Sequence, residues 1–349
     1  MFESRDFVGH WYFTEHGREL SAKNANAITA SFIQGREYFK ASDLSGTNVS
    51  PLLLYYGVLS ISRGLILIKS RNKTEDALKS SHGLGTVDWG GTLAEGICNI
   101  LDVKVRAKSG AFAELIDAVG NAQWTGCWSG AYGHPRWFTV SFPKPNFITD
   151  NSILSLDDLL SRDHRLLALY SKTTKRVAKV HLGEVIERET GVGISLYASF
   201  ENDNAVRTKF GQPDYRVISR RQFGDRLQIY NTHFFIITDN IMTLRSTLPS
   251  THFIGGNECF IVENMLNGDR ISELLRTYLL AYILGMLVRY HPSIWMALLR
   301  NEKGDAALPC IRAASRVIYF DFPRLAVEAL NHYAFPGQPT IPLAGFPVP

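Results

Sequence analysis

The run from Leu52 to Ile68 is apolar almost throughout and carries a single charge, Arg63. Pro51 precedes it and suits the first turn of a helix, where its missing N–H would have no partner in any case. At helical spacing Tyr56, Ser60, Arg63 and Leu67 share one stripe, so a polar seam runs along an otherwise buried helix. Upstream, Ile28, Phe32 and Phe39 recur at helical intervals behind Ser21, a good N-cap, and predict a helix over about 21–41. The polar stretch 42–49, with Gly46 and Asn48, turns the chain between the two. An antiparallel hairpin of this kind puts Arg36 about level with Tyr56 and draws Arg36 and Arg63 toward one seam. His82 and Gly83 follow a polar loop. The glycine either fixes the imidazole over the helix pair or simply ends the loop.

Further along, the period of the pattern changes. The glycine-rich passage 85–96 leads into a short alternating segment, 103–107, and a helix over about 110–119. Residues 121–149 mix Trp124, Trp128, Trp137, Phe138 and Phe142 with Gly130, Gly133, Pro135, Pro143 and Pro145. That density of breakers predicts a loop or irregular strands, whose aromatics either fill core or offer a stacking surface for bases. Leu156, Leu159, Leu160, Leu166 and Leu167 predict a helix over 156–170 with a break near Asp163. From about 176 to 262, β-branched and aromatic residues alternate with polar ones and predict a sheet of four or more strands, with Asp239-Asn240 as a two-residue turn. The last third returns to helices: one from Asp269 to near Tyr290, a short one from Pro292 to Leu299, and one from about Pro309 to Asn331, interrupted at Pro323. A proline-rich tail, 336–349, reads as extended or mobile. The expected fold class is α+β, mainly α. An N-terminal helical part (1–120) packs on C-terminal helices (266–335) around a central aromatic and strand-rich insertion (121–265).

Composition narrows the function. Apolar and charged shares of 45% and 20% are those of a soluble globular chain, and a net charge of +4 permits nucleic-acid contact without pointing to it. The basic residues Lys172, Lys175, Arg176 and Lys179, with Arg216, Arg220, Arg221 and Arg226, are the one charge enrichment. On a strand Arg216 and Arg220 face one way and Arg221 the other, and Asp214 and Asp225 interrupt the field. The N-terminus carries acids and no apolar leader core, so a cytoplasmic protein is expected. Cys98, Cys127, Cys259 and Cys310 lie far apart and read as reduced, buried thiols. Arg63 would cost about 2.5–3.5 kcal/mol in the middle of a bilayer, so the apolar run reads as a core helix. There is no Walker-type loop, no GxGxxG after a strand, no GxSxG and no HExxH. No cofactor and no metal is therefore expected.

Four blocks in order, GREYFKAS, SPLLLYYGVLSISRGLILIK, SHGL and LLRTYLLAYILGMLVRYHPSIW, together with DVKVRAKSGAFAEL, resemble the YaaC-like family of bacterial proteins. The first hairpin, with its tyrosine-rich second helix and His-Gly pair, also resembles the helical HEPN class over residues 20–85. That class implies roles as RNases, as toxin or antitoxin partners, or as structural modules in nucleic-acid and defence systems.

HEPN RNases carry an arginine and a histidine with four to six residues between them, often on a late helix, which would polarise a 2′-hydroxyl and stabilise phosphate charge. Arg5/His10, Arg176/His181, Arg226/His233 and Arg245/His252 have this spacing, about as often as chance provides. The stronger candidate is a seam of Arg36, Tyr56, Arg63 and His82, read either as a buried polar network fixing helix register or as a site for a ligand or nucleic-acid phosphate. Arg289 and His291, read also as a helix C-terminal cluster, and Arg220 and Arg221 are secondary candidates. The function expected is a cytosolic binding or scaffold protein acting with a protein or RNA/DNA partner, in bacterial defence or RNA-linked stress, with no membrane and with room for a homo-oligomer. A HEPN-like metal-independent ribonuclease is the alternative, with no catalytic residues assigned.

Overall fold

The computed structural model describes residues 2–128, 135–141, 144–148, 153–188, 191–196, 216–221, 230–238, 250–255, 258–265, 268–302 and 305–330. A first helix, α1 (Arg5–His16), which the hydropathy pattern does not announce, is capped by the Ser4 side chain and lays Val8 and Tyr12 on the core. α2 (Ala22–Leu44) starts where Ser21 accepts from the Asn24 N–H. It packs along α3 (Ser50–Lys69) at glycine-lined contacts. A Cβ on Gly35 would stand 2.5 Å from Ile61 Cγ1 and 3.2 Å from the Gly57 carbonyl, so larger residues would force the two backbones apart. α3 is long and apolar enough to cross a membrane, and 72% of its most apolar window is buried inside the protein.

The segment 70–81 is pinned by ion pairs and hydrogen bonds. Lys73 reaches Glu114 at 2.8 Å and Lys79 reaches Ser109 Oγ at 2.7 Å. It delivers β1 (His82–Val87), which pairs antiparallel with β2 (Lys104–Gly110); β2 pairs in turn with β5 (Ile153–Ser155). The single turn α4 (Trp89–Thr92) lies between β1 and β2, and α5 (Ala111–Val119) follows β2. The aromatic segment is more regular than its breakers imply. β3 (Ala122–Trp128) and β4 (Pro135–Ser141) form a hairpin in unbroken register from Ala122↔Ser141 to Trp128↔Pro135. The cause is positional: Pro135 sits at the first residue of its strand, where a missing donor is tolerated.

The chain breaks near Asp163 as expected, between α6 (Leu156–Leu160), with a Ser155/Asp158 capping box, and α7 (Leu167–Thr174). β6 (Val180–Arg188), β7 (Gly191–Leu196), β8 (Arg216–Arg221), β9 (Tyr230–Thr238), β10 (Ser250–Gly255) and β11 (Glu258–Val262) make an antiparallel sheet in the order β10-β11-β6-β7-β9-β8. The Asp239-Asn240 turn and the proline-rich tail lie outside the described residues.

Three helices close the fold: α8 (Glu273–Tyr290), α9 (Pro292–Leu299) and α10 (Leu308–Leu330). α8 begins at Glu273 and not at Asp269, because the Asp269 carboxylate accepts from the Asn146 and Phe147 amides at 2.7 Å each and keeps its own segment out of the helix. α10 runs through Pro323 without interruption. The cost of about 3 kcal/mol for an internal proline is offset by the buried Phe322, Leu325 and Ala326 around it. The N-terminal hairpin packs on α8 and α10, and the whole is α+β, mainly α.

Candidate functional site

α8 crosses α3 at Gly285, where a Cβ would lie 2.7 Å from Tyr55 Cβ. That close crossing sets the Tyr55 ring against Tyr282 (5.5 Å between centroids) and Tyr278 (6.3 Å), both edge-on. The two α8 phenols also tie β1 down. Tyr278 Oη donates to the His82 carbonyl and Tyr282 Oη to the Leu84 carbonyl, each at 3.2 Å. Gly83, at φ +79°, lets the strand bulge there; a Cβ would stand 2.5 Å from the Phe112 nitrogen. His82 is therefore held by strand, helix and glycine together, with its ring 5.4 Å from that of Tyr55.

The polar atoms of this seam are not matched to one another. Tyr55 Oη, Arg63 Nε and His82 Nδ1 are buried and have no hydrogen-bond partner. Tyr55 and Tyr278 stand phenol beside phenol without closing a bond of ordinary geometry. Arg289, exposed at the end of α8, donates to Tyr56 Oη at 2.9 Å and stacks on Tyr290. Tyr56 stacks in turn on Tyr38, with centroids 5.6 Å apart. Burial, and then the neighbouring Arg289 and Arg63 guanidiniums, hold the His82 imidazole below its usual range, so it is neutral at neutral pH. Burial and the adjoining phenols push Tyr55 far up, and burial pushes Tyr282 up to about 12, so both stay protonated donors.

Of the four residues expected in the seam, Tyr56, Arg63 and His82 come together, and the secondary candidate Arg289 joins them. Arg36 does not. It points toward the N-terminal helix, is half exposed, and pairs with Glu3 and with Glu37. Ser60 shares the stripe in sequence but turns to Gln34 on α2 at 3.1 Å. His291 diverges as well, stacking on Trp89 at 5.6 Å and ending α8. Arg220 and Arg221 pair in backbone register with Asn231 and Tyr230, and their side chains lie outside the described ones. Tyr55, Tyr278 and Tyr282 were missed as site residues. The double tyrosine in α3 and the Tyr-x-x-x-Tyr spacing in α8 were the available signals.

Among the described residues the arginine–histidine spacings bring no pair together. Arg5 bonds Asn26. Arg176 pairs with Asp102 and Asp157, whereas His181 bonds Glu263. Arg226 and Arg245 lie outside the described residues. Cys98 is exposed, unlike the buried thiol expected, since the short 3₁₀ turn carrying it buries Ile97, Ile100 and Leu101 and leaves Cys98 on its outer side; Cys310 is buried, and Cys127 and Cys259 have no described side chains.

A second polar cluster sits in the interior. Arg162 bonds the Glu263 and Asn264 carbonyls and pairs with Asp158 at 3.0 Å. Beside it Asp163, Arg165, Glu273, Arg276 and Asp321 form a chain of opposite charges joining the α6–α7 turn to α8 and α10. Carboxylates answer guanidiniums there. In the seam no carboxylate among the described residues bonds Arg63, His82 or Arg289.

Residues 2–330 match a family model described as YaaC-like protein. No curated protein and no solved structure matches the chain.

Proposed function

Because the chain belongs to the YaaC-like family, a membership that specifies no chemistry, we propose from its own geometry that it is a binding protein whose seam takes a phosphate of an RNA partner. One observation carries this reading: the buried, unpartnered Arg63 Nε and His82 Nδ1 belong to side chains that neighbour each other and Arg289, with the unmatched Tyr55 phenol on the ring beside His82. Leaving each of them unmatched costs about 1–3 kcal/mol, a cost that an incoming oxyanion would remove. A guanidinium, a phenol and a neutral imidazole can all donate to phosphate oxygens. The half-buried Tyr38 and Tyr56 and the exposed Tyr290 supply rings on which flanking bases could stack. Such a protein would work in the cytoplasm, with bacterial defence or RNA-linked stress as its setting.

Fluorescence anisotropy of a labelled single-stranded RNA tests this. Affinity should fall steeply with salt and weaken at least about tenfold in Arg63→Met and Arg289→Gln, the scale of one charge-assisted contact. Arg220→Gln/Arg221→Gln should leave it nearly unchanged. Absence of saturable RNA binding, or a loss confined to the strand variant, overturns the reading.

A second reading, a HEPN-like metal-independent ribonuclease, draws on the neutral His82 imidazole beside two guanidiniums. Those are the groups needed to accept a 2′-hydroxyl proton and to stabilise charge on the phosphorus oxygens. RNA cleavage that survives EDTA and disappears in His82→Gln would favour it.

A further inference from the structure

A cleft of about 350 Å³ opens on the other side of α3, between the α2–α3 turn and the helices α9 and α10. Its apolar walls are Leu54, Trp295, Leu299 and Tyr319. Trp295 is held in place by its Nε1–H, which donates to the Thr47 carbonyl at 3.2 Å. On the rim stand Arg312 and Arg316, exposed and four residues apart on α10. Two like charges at that spacing repel mildly, and neither arginine forms an ion pair with a described carboxylate; Asp43, across the cleft, is the one acid in its lining. We propose that this cleft is a binding site for a small amphipathic anion, an apolar chain or ring ending in a carboxylate or phosphate, with Arg312 and Arg316 holding the head and Trp295 and Leu54 the body.

The volume limits the ligand. At about 30 Å³ per atom, the share of a water molecule in the liquid, the cleft admits roughly a dozen non-hydrogen atoms. A body of that size, buried in apolar walls with two polar anchors at the mouth, matches the usual anatomy of small-molecule sites. The site is independent of the RNA-phosphate reading, since no seam residue lines it.

Isothermal titration with octanoate and octyl phosphate, against octanol and inorganic phosphate as half-ligands, tests the proposal on the full chain. Both anions should bind saturably at one site per chain, and each half-ligand should bind at least tenfold more weakly. Arg312→Gln/Arg316→Gln should weaken the anions at least tenfold, and Ser315→Phe, which fills the cleft without removing a charge, should weaken octanol in step. Circular dichroism checks that both variants are folded. Binding lost in Arg63→Met and kept in Arg312→Gln/Arg316→Gln would assign the anions to the seam and overturn the cleft site. Sedimentation with phosphatidylglycerol vesicles, without any binding of soluble octanoate, would overturn it in favour of a lipid surface.

Discussion

Asp163→Asn asks the interior charge cluster for a number. Asp163 is completely buried at the turn between α6 and α7. Its carboxylate accepts from the Arg165 amide at 3.0 Å, Nε at 2.8 Å and Nη2 at 2.5 Å, and faces Arg276 Nη2 at 3.7 Å. Asparagine keeps the shape and removes the charge. Arg165 would still reach Asp321 at 2.6 Å, but Arg276, 2% exposed, would lose one of its two described counter-charges and keep Glu273 at 3.7 Å. Stripping one partner from a buried pair costs about 3–5 kcal/mol. At about 2 °C per kcal/mol for a long chain, that is roughly 6–10 °C in Tm. Guanidinium chloride unfolding at pH 7 measures it, and a loss below about 1 kcal/mol would refute the claim that this charge holds the cluster together. Asp163→Asn/Arg276→Met should recover more than half of the loss, because the stranded charge leaves with its partner. Acid supplies a further check. Burial alone would raise the Asp163 carboxyl, but the Arg165 bonds and charge outweigh it and hold the group well below the usual carboxylate range. Its stabilising contribution is therefore complete above the unfolded value near pH 4 and is lost as pH falls toward the folded one. The gap between wild type and Asp163→Asn should be constant from pH 7 to about 5 and close below about 4.

The seam should answer in the opposite sense. Arg63→Met removes an unmatched buried donor while keeping a long apolar side chain, so without ligand it should melt no lower than wild type and up to about 2 kcal/mol higher in stability; a clear drop in Tm would mark Arg63 as a structural strut. Gly285→Ala should destabilise by about 1–3 kcal/mol in chemical denaturation, since overpacking against Tyr55 outweighs the gain of up to about 1 kcal/mol in helix propensity. RNA affinity should rise as pH falls from 8 to 6, because a bound phosphate raises the depressed His82 pKa and draws in a proton. Titration in buffers of different ionisation enthalpy reads that uptake, and His82→Gln should abolish it.

Much of the architecture could be read from periodicity. Ser21, Pro51 and Pro292 mark helix starts at or within a residue of where they form, because caps and N1 prolines act locally. What escaped was decided at a distance. Asp269 delays α8 by bonding a segment 122 residues away, and packing carries α10 through Pro323. The seam was legible in part for the same reason. Arg63 announced itself as the one charge in an apolar run, but helical spacing alone could not tell that Arg36 would find Glu3 or that Ser60 would turn to Gln34. The interior cluster was invisible as such: Asp163 marked only a break in a helix until α8 and α10 supplied Arg276 and Asp321.

The bond from Tyr278 to His82 also sets a clock on the newborn chain, since it spans 196 residues. At roughly 5–20 residues per second, translation needs about 10–40 s to bring the second half of the seam out after the first. Throughout that interval α3, whose greasy face is destined for α8, must wait on the ribosome uncovered or in the grip of a chaperone, and the proposed seam is incomplete until α8 arrives. The seam is therefore assembled late in synthesis, and a message cut short upstream of α8 would yield a product with an exposed apolar helix and half a seam.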